Sequence, residues 1–319
     1  MRPAALGRMA PAIAQARPEN MPERWSVRRM LRPGDTCWRL ETAERAAVLV
    51  DGAAYYAELE RALRGARRSI MILGWDFDWR IHLRPDLPAE ESLQLGPLLR
   101  SLVESRPELE IRILIWSVAV AHGSSSVMAL LRDAPWTHHP NIRFKLDTRH
   151  PIYGSHHQKL VVVDDALTFA GGIDLTAERW DTPAHRAAEP HRTMPDGAPY
   201  RPVHDMQMMV DGPAAAALGD LARWRWRRAT DETLMPPPAL SGHWPQNLQP
   251  HFENVEIGIA RTAPAWTDEA AIGESAALLC VRPSIGRERT STSKPSIWRI
   301  TPSAIVWRAA SSGRTDPKS

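Results

Sequence analysis

Residues 155–180, SHHQKLVVVDDALTFAGGIDLTAERW, decide the fold of the middle of the chain. Two short apolar runs rich in β-branched residues, Leu160–Val163 and 167–170, flank Asp164-Asp165-Ala166, and this pattern predicts a β-hairpin. The pair Gly171-Gly172 closes the second run, where a glycine pair marks a place that backbone or ligand must approach closely. The stretch therefore predicts two paired strands, with close packing at the glycine pair that ends the second strand.

An imidazole and an ammonium group are predicted to share one face of this hairpin. His157 and Lys159 are two residues apart on the incoming strand, and side chains alternate between the faces of a strand. A neutral histidine can attack phosphorus, a lysine can hold the oxygens whose charge grows in the transition state, and a carboxylate can orient the imidazole. From these residues alone two interpretations stay open: half of a site for phosphodiester cleavage, or a polar sheet edge with a solvated lysine.

The spacing of these residues resembles the signature of the phospholipase D superfamily. His157, Lys159 and Asp164 are followed, after six residues, by Gly171-Gly172. Further segments similar to that family are residues 49–52, 72–76, 172–175, 179–182, 202–205, 211–215 and 221–224. The resemblance covers roughly Cys37 to Thr267.

The resemblance implies an activity and a role for each motif residue. It implies a bacterial-type phospholipase D, which hydrolyses a glycerophospholipid such as phosphatidylcholine to phosphatidate and a head-group alcohol through a phosphohistidine. His157 would be the nucleophile or the general acid, Lys159 would bind phosphate, and Asp164 would orient an imidazole, either that of His157 or that of a second half. No cofactor and no metal are implied, and the spacings of the histidines before the hairpin fit no metal-site pattern.

The alternation of strand and helix patterns predicts the fold class. Apolar runs predict strands at residues 69–75, 111–118 and 142–146, and helical periods predict helices at 53–66 and 95–105. This order predicts an α/β fold with a mixed, mostly parallel sheet flanked by helices, the phospholipase D-like fold that the resemblance implies. Trp75 ends the first of these strands, and we expect it to bind substrate together with Gly171 and Gly172. The alternative for Trp75 is packing of a loop against the core.

Five segments are predicted along the chain. They are a flexible N-terminal arm at 1–30, a catalytic half at 31–234, a proline-rich linker at 235–250, the start of a second half at 251–279, and an aberrant, disordered tail at 280–319. The resemblance implies two copies of the motif on one chain, yet no second His-x-Lys-x-x-x-x-Asp occurs in this sequence. The resemblance therefore predicts one complete half plus the beginning of another.

A frameshift near Leu279 is our hypothesis for the missing copy. The family expects a sequence like Ile-Tyr-Ile-Glu-Ala-Gln-Tyr in this region, and one plausible codon string for that peptide, read one base late, encodes Ser-Thr-Ser-Lys-Pro-Ser-Ile, which is residues 291–297. Resequencing the locus tests it, because an intact second-half coding run must then follow in another frame.

Composition and charge restrict the class of protein. The 319 residues are 43% hydrophobic and 24% charged, which is typical of a globular chain with a real core. No apolar run reaches the ~20 residues that span a bilayer, so no integral membrane protein is predicted. Prolines and Arg8 interrupt residues 1–25, so no cleavable signal peptide is predicted, and we expect a cytoplasmic or peripheral location, with export left open. Two cysteines are too few for a disulfide framework.

Three alternatives remain for what the chain acts on and with what it associates. The principal expectation is a phospholipid substrate at a membrane surface. A homodimer could instead rebuild a two-histidine site in a single-motif phosphodiesterase or nuclease, and an inactive truncated remnant is the third possibility. Residues 213–230 alternate Trp and Arg, which could bind nucleic acid, but we expect Trp in the core and a solvated Arg face, and hence no nucleic acid.

Overall fold

A computed structural model describes residues 31–117, 134–151, 154–238, 240, 243–267, 269–280 and 303–308 of the chain. The predicted arm at 1–30 and most of the predicted tail lie outside these residues. Within them, every helix falls short of the length and apolar character that a bilayer crossing requires.

One mixed sheet organises the described residues. Its strands are β1 Arg39–Val50, β2 Ser69–Gly74, β3 Glu110–Trp116, β4 Ile142–Asp147, β5 Leu160–Val163, β6 Leu167–Gly171, β7 Met206–Asp211, β8 Phe252–Ala263, β9 Ile272–Gly273 and β10 Ser303–Arg308. Their order is β10-β8-β1-β7-β6-β5-β2-β3-β4, with β9 paired to β8. The predicted hairpin is present as β5 and β6, paired antiparallel from Leu160↔Ala170 to Val163↔Leu167.

The prediction of a mixed sheet flanked by helices is confirmed, but its mostly parallel character is wrong. Only the pairings of β2 with β3 and of β3 with β4 are parallel, and the other pairings in the sheet are antiparallel. Parallel neighbours need a crossover such as a helix, whereas β5 and β6 are joined by a tight turn. The alternation of strand and helix patterns carries no information on strand direction where the connections are short.

Helices cover both faces of the sheet. They are α1 Asp51–Gly65, α2 Leu95–Ser105, α3 Pro213–Thr230 and α4 Glu274–Cys280. Helices α1 and α2 pack on one face with Val161 and Val163 of β5, and α3 packs on the other face with Leu160 and Val162. Because both faces are buried, β5 is a continuous apolar run rather than an alternating one.

The expected solvated arginine face of α3 is wrong. Trp226 is fully buried as expected, but three of the four arginines on α3 are buried as well. These form ion pairs with carboxylates from other elements, namely Arg223 with Asp165, Arg225 with Asp147, and Arg228 with Glu269. The helical period assigned these arginines to solvent because their acidic partners are distant in sequence.

The start of the predicted second half belongs to the same sheet as the first. Strand β8 pairs antiparallel with β1, from Arg39↔Ile259 to Ala46↔Phe252. Its other edge pairs with β10. These six residues of the tail, Ser303–Arg308, thus form a strand and differ from the predicted disorder, because the edge of β8 offers unpaired backbone groups to a further strand.

Candidate active site

The hairpin opens into a cavity of about 640 Å³. Four of the predicted site residues line it: His157, Lys159, Gly171 and Gly172. The structure brings the first two into the same cavity, but both precede β5, and their neighbours His156 and Gln158 line the cavity as well, so no strand alternation separates them. Asp205, immediately before β7, lines it as well.

Lys159 is buried and paired. Its Nζ lies 2.7 Å from Oδ2 of Asp174, and both side chains are at most 4% exposed. The other carboxylate oxygen of Asp174 accepts the backbone N–H of Trp75 at 2.9 Å, which fixes the acid in place. Burial lowers the pKa of Lys159 below its ordinary value, opposed by the attraction of Asp174. The ammonium group is therefore held rigidly at the wall of the cavity.

Asp174 is a functional candidate that the motif spacing missed. It lies in the family-like segment 172–175, after the glycine pair, so its position was part of the resemblance. No spacing rule connects a residue after β6 to a lysine before β5. The contact depends on how the two ends of the hairpin meet β2, which only the tertiary fold shows.

His157 is half-buried against an aromatic wall. Its ring lies 5.8 Å from the ring of Trp75, which in turn stacks on Trp116 at 5.7 Å. Burial lowers the pKa of His157 below its ordinary value, and the neighbouring Lys159 charge lowers it further. The imidazole is thus neutral at neutral pH, the form in which nitrogen is a nucleophile.

Trp75 lies behind the motif residues and is not part of the cavity lining, so its contact with substrate stays a prediction. It packs on Trp116, as a loop residue packed on the core does, and it also contacts the two motif side chains. The Nζ of Lys159 lies 5.9 Å from the centre of its ring, within the range of a cation–π contact. Trp75 therefore keeps His157 and Lys159 in place on one side of the cavity.

The glycine pair is required by close packing against β7. A Cβ on Gly171 would come within 2.5 Å of the carbonyl oxygen of Met206, and one on Gly172 would overlap the carboxylate of Asp205. Any side chain at these positions would displace the start of β7. The close approach expected of the pair is to protein backbone and to Asp205, at the rim of the cavity.

Asp164 lies apart from the cavity. The four residues of β5, roughly 13 Å of extended chain, lie between it and Lys159. Its carboxylate accepts the backbone N–H groups of Arg67, Arg68 and Ser69 at 2.7–2.8 Å. The imidazole that it contacts is that of His243, whose Nε2 lies 2.7 Å from Oδ2.

The predicted role of Asp164 in orienting the imidazole of His157 therefore has no counterpart in this geometry. Burial tends to raise the pKa of Asp164, but the hydrogen bonds from His243 and from the backbone outweigh it and lower that pKa. The carboxylate ties the hairpin turn to β2 and to the segment after α3. The motif spacing gives the number of residues between His157 and Asp164, but it does not give the direction in which the Asp164 side chain points at the hairpin turn.

A second histidine of the cavity lining, His156, is supported by Asp147. His156 lines the cavity, and its Nε2 lies 3.4 Å from Oδ1 of Asp147. Arg225 of α3 forms an ion pair with the same carboxylate. Burial lowers the pKa of His156, and the attraction of Asp147 opposes this. His156 is thus a neutral, carboxylate-supported side chain beside the motif residues.

The rest of the lining is largely apolar. It comes from β7, α3 and β8 and includes Met208, Leu218, Leu221, Phe252 and Ile259. Among the described residues, one group of three potential metal ligands is present, Asp51, His185 and His204, and it lies outside this cavity.

Comparison with known proteins identifies relatives. The family model described as phospholipase D matches residues 62–237. Phospholipase D zeta 1 of Arabidopsis thaliana is 33% identical over 168 residues, which are 51% of this chain and 15% of that protein. Phospholipase D B of Dictyostelium discoideum is 26% identical over 210 residues, 56% of this chain and 17% of that protein. The chain thus spans less than a fifth of the length of these relatives.

Two solved structures illustrate the similarity of the fold. Nuc from Salmonella typhimurium, a phospholipase D family member, is 13% identical with a TM-score of 0.37, covering 59% of this chain and 99% of that one. Phosphatidylserine synthase of Haemophilus influenzae is 10% identical with a TM-score of 0.44, covering 76% of this chain and 54% of that one.

Proposed function

The chain belongs to the phospholipase D superfamily, and we propose that it is a phosphodiesterase that hydrolyses glycerophospholipids such as phosphatidylcholine to phosphatidate and a head-group alcohol. The observation that carries the proposal is one cavity in which a neutral imidazole, His157, stands beside a fixed ammonium group, Lys159. Trp75 supports both side chains, and the proposed substrate-binding rim is Gly171 and Gly172.

The reaction proceeds in two steps. In the first, a ring nitrogen of His157 attacks phosphorus, a P–N bond forms, and the bond between phosphorus and the head-group oxygen breaks. Lys159 stabilises the charge that grows on the non-bridging oxygens. In the second, water attacks the phosphohistidine, the P–N bond breaks, and phosphatidate leaves with the imidazole restored.

The departing head-group oxygen needs a proton, and a general acid must supply it. The motif supplies a single histidine in this sequence. Asp164, the remaining motif residue, is engaged by His243 and the backbone. We therefore propose that a second copy of the chain brings its own His157 to the cavity, so that the active species is a homodimer. Beside the anionic phosphodiester this second imidazole carries a proton, gives it to the departing oxygen, and then takes a proton from the water that attacks the phosphohistidine.

The apolar wall supports a lipid substrate. Side chains of β7, α3 and β8 present aliphatic and aromatic surface next to the motif residues. A phosphodiester with acyl chains gains free energy by covering such surface, about 25 cal/mol for each Å² removed from water. The cationic side of the cavity then receives the phosphate, and the apolar side receives the adjoining part of the lipid.

Assays on three substrates test the substrate class. The purified chain is incubated with phosphatidylcholine vesicles, with bis(p-nitrophenyl) phosphate and with plasmid DNA. We expect choline and phosphatidate from the vesicles. We also expect light scattering to give the mass of a dimer, and turnover to be found in the fractions that have this mass. Cleavage of DNA without choline release would favour the single-motif nuclease, and an inactive monomer would favour the truncated remnant.

The pH dependence of the reaction follows from the environment of His157. Because burial and Lys159 lower its pKa, the nucleophile stays neutral at pH values where an exposed histidine is already half protonated. We expect kcat/KM for choline release to fall on the acid side with a midpoint below pH 6.5, the ordinary histidine value. A midpoint above that value would contradict the electrostatics of the cavity.

A further inference from the structure

Three side chains with metal-binding atoms converge beside the cavity. Asp51 begins α1, and His185 and His204 lie near the two ends of the segment that joins Asp181 to β7. One ligand atom from each side chain lies within 4.8 Å of those of the other two. None of the three lines the cavity that holds His157.

Asp51 is a buried carboxylate that is only partly satisfied. The residue is 0% exposed. Its Oδ1 accepts the ring N–H at Nδ1 of His204 at 2.7 Å and the backbone N–H of Asp205 at 3.3 Å. Its Oδ2 is buried without a hydrogen bond and faces Nε2 of His185 at 3.4 Å. A buried carboxylate oxygen without a hydrogen bond is costly unless a cation completes it.

His185 is oriented as a metal-binding histidine is. Its Nδ1 donates to Oδ2 of Asp181 at 3.2 Å, which leaves Nε2 turned towards Asp51. Asp181 is itself fixed by Arg192 and by the backbone N–H of Val203. A carboxylate behind one ring nitrogen is the usual support of a histidine whose other nitrogen binds metal, because it fixes the tautomer and raises ligand basicity.

We propose that Asp51, His185 and His204 bind a divalent cation of the zinc class. Two imidazole nitrogens and one carboxylate oxygen are a donor set that suits Zn²⁺, and water would occupy the fourth position. Ligands at Zn–N and Zn–O distances of roughly 2.0–2.1 Å stand roughly 3.3 Å apart around a tetrahedral ion. The contact of His185 Nε2 with Oδ2 of Asp51, at 3.4 Å, has this separation. His204 Nδ1 faces the other carboxylate oxygen, Oδ1, at 2.7 Å, so an ion bound through Oδ2 requires the His204 ring or the carboxylate to turn.

The position of the ion indicates what it would do. The segment 181–205 has no helix or regular strand of its own in the structure, and its two ends carry His185 and His204. An ion held by both histidines and by Asp51 ties those ends to the start of α1. Asp205, which follows His204, lines the His157 cavity. The metal is thus a structural clamp at the rim, with no part in the chemistry at phosphorus.

Binding of Co²⁺ and Zn²⁺ to the untagged, full-length chain tests the site. We expect one Co²⁺ per chain, seen as visible absorption of a four- or five-coordinate ion, and displaced by Zn²⁺ in calorimetry. In His204→Ala and in His185→Ala, the Co²⁺ affinity is expected to fall at least about tenfold. His204 is well exposed, so its substitution leaves the core intact, and circular dichroism checks that each variant is folded.

His191→Ala is the matched control. His191 is exposed on the same segment and contacts Trp180 instead of the three ligands. It is expected to bind Co²⁺ like the unchanged chain. Metal is also expected to slow tryptic cleavage after Arg186, which is exposed between the two ligand histidines. Absence of stoichiometric binding in the folded chain, or equal binding by His204→Ala and the control, would overturn the proposal.

Discussion

Replacement of His157 by alanine is expected to lower choline release from phosphatidylcholine by roughly 10³-fold or more. The variant removes the proposed nucleophile, and the other imidazole of the cavity lining, that of His156, faces Asp147. Because His157 is half-buried at the cavity and makes no hydrogen bond through Nδ1, its loss leaves the fold largely unchanged. Initial rates of choline release from purified chains of equal thermal stability measure the effect.

His139→Ala provides the control for that comparison. His139 accepts the backbone N–H of Asn141 at the entry to β4, outside the cavity lining. It is expected to keep the activity of the unchanged chain. If His157→Ala retained the same rate of choline release as this control, the phosphohistidine step would have to be abandoned for this chain.

Replacement of Asp164 by alanine is expected to destabilise the fold by roughly 3 kcal/mol or more. The substitution removes the acceptor of three partly buried backbone N–H groups and of the buried His243 side chain. The free energy of unfolding in urea, taken from circular dichroism, gives the magnitude. If Asp164 acted in catalysis instead, kcat would fall while the urea midpoint stayed unchanged.

The effect of Asp164 also depends on pH in a definite direction. Its pKa is lower in the folded chain than the unfolded value near 3.9, so its contribution is fully present above that value and is lost as pH falls through the folded pKa. Asp86→Ala is the surface control. Asp86 pairs with Arg84 at a solvent-accessible site, and its loss is expected to cost less than about 1 kcal/mol.

What the sequence could predict depended on local periodicity. The hairpin follows from two apolar runs around a turn, and the structure has it. His157 and Lys159 precede β5, and His156 and Gln158 line the same cavity, so the twofold alternation of a strand does not explain how the two motif residues meet. The partner of Lys159 is Asp174, and this contact depends on where the two hairpin ends meet β2. A pair that joins two elements through the tertiary fold leaves no local pattern in the chain.

Contacts between residues distant in sequence also explain two of the differences from the predictions. The arginines of α3 were assigned to solvent because charged side chains are rarely buried without partners. Their partners are Asp165 in the hairpin turn, Asp147 at the end of β4, and Glu269 beyond β8. The direction of Asp164 was likewise set by Arg67, Arg68 and Ser69, which lie far from it in sequence.

The place of β1 in the sheet has a practical consequence for the limits of a stable fragment. The family match starts at residue 62, yet β1 at Arg39–Val50 is an interior strand, hydrogen-bonded to β7 on one side and to β8 on the other. Protein trimmed to the matched region would lose this strand together with most of α1. Strand β7 would then become an exposed edge strand, whose unpaired backbone groups favour association with other copies of the chain. A piece of the chain meant for expression has to begin before Arg39 and run past Ala263.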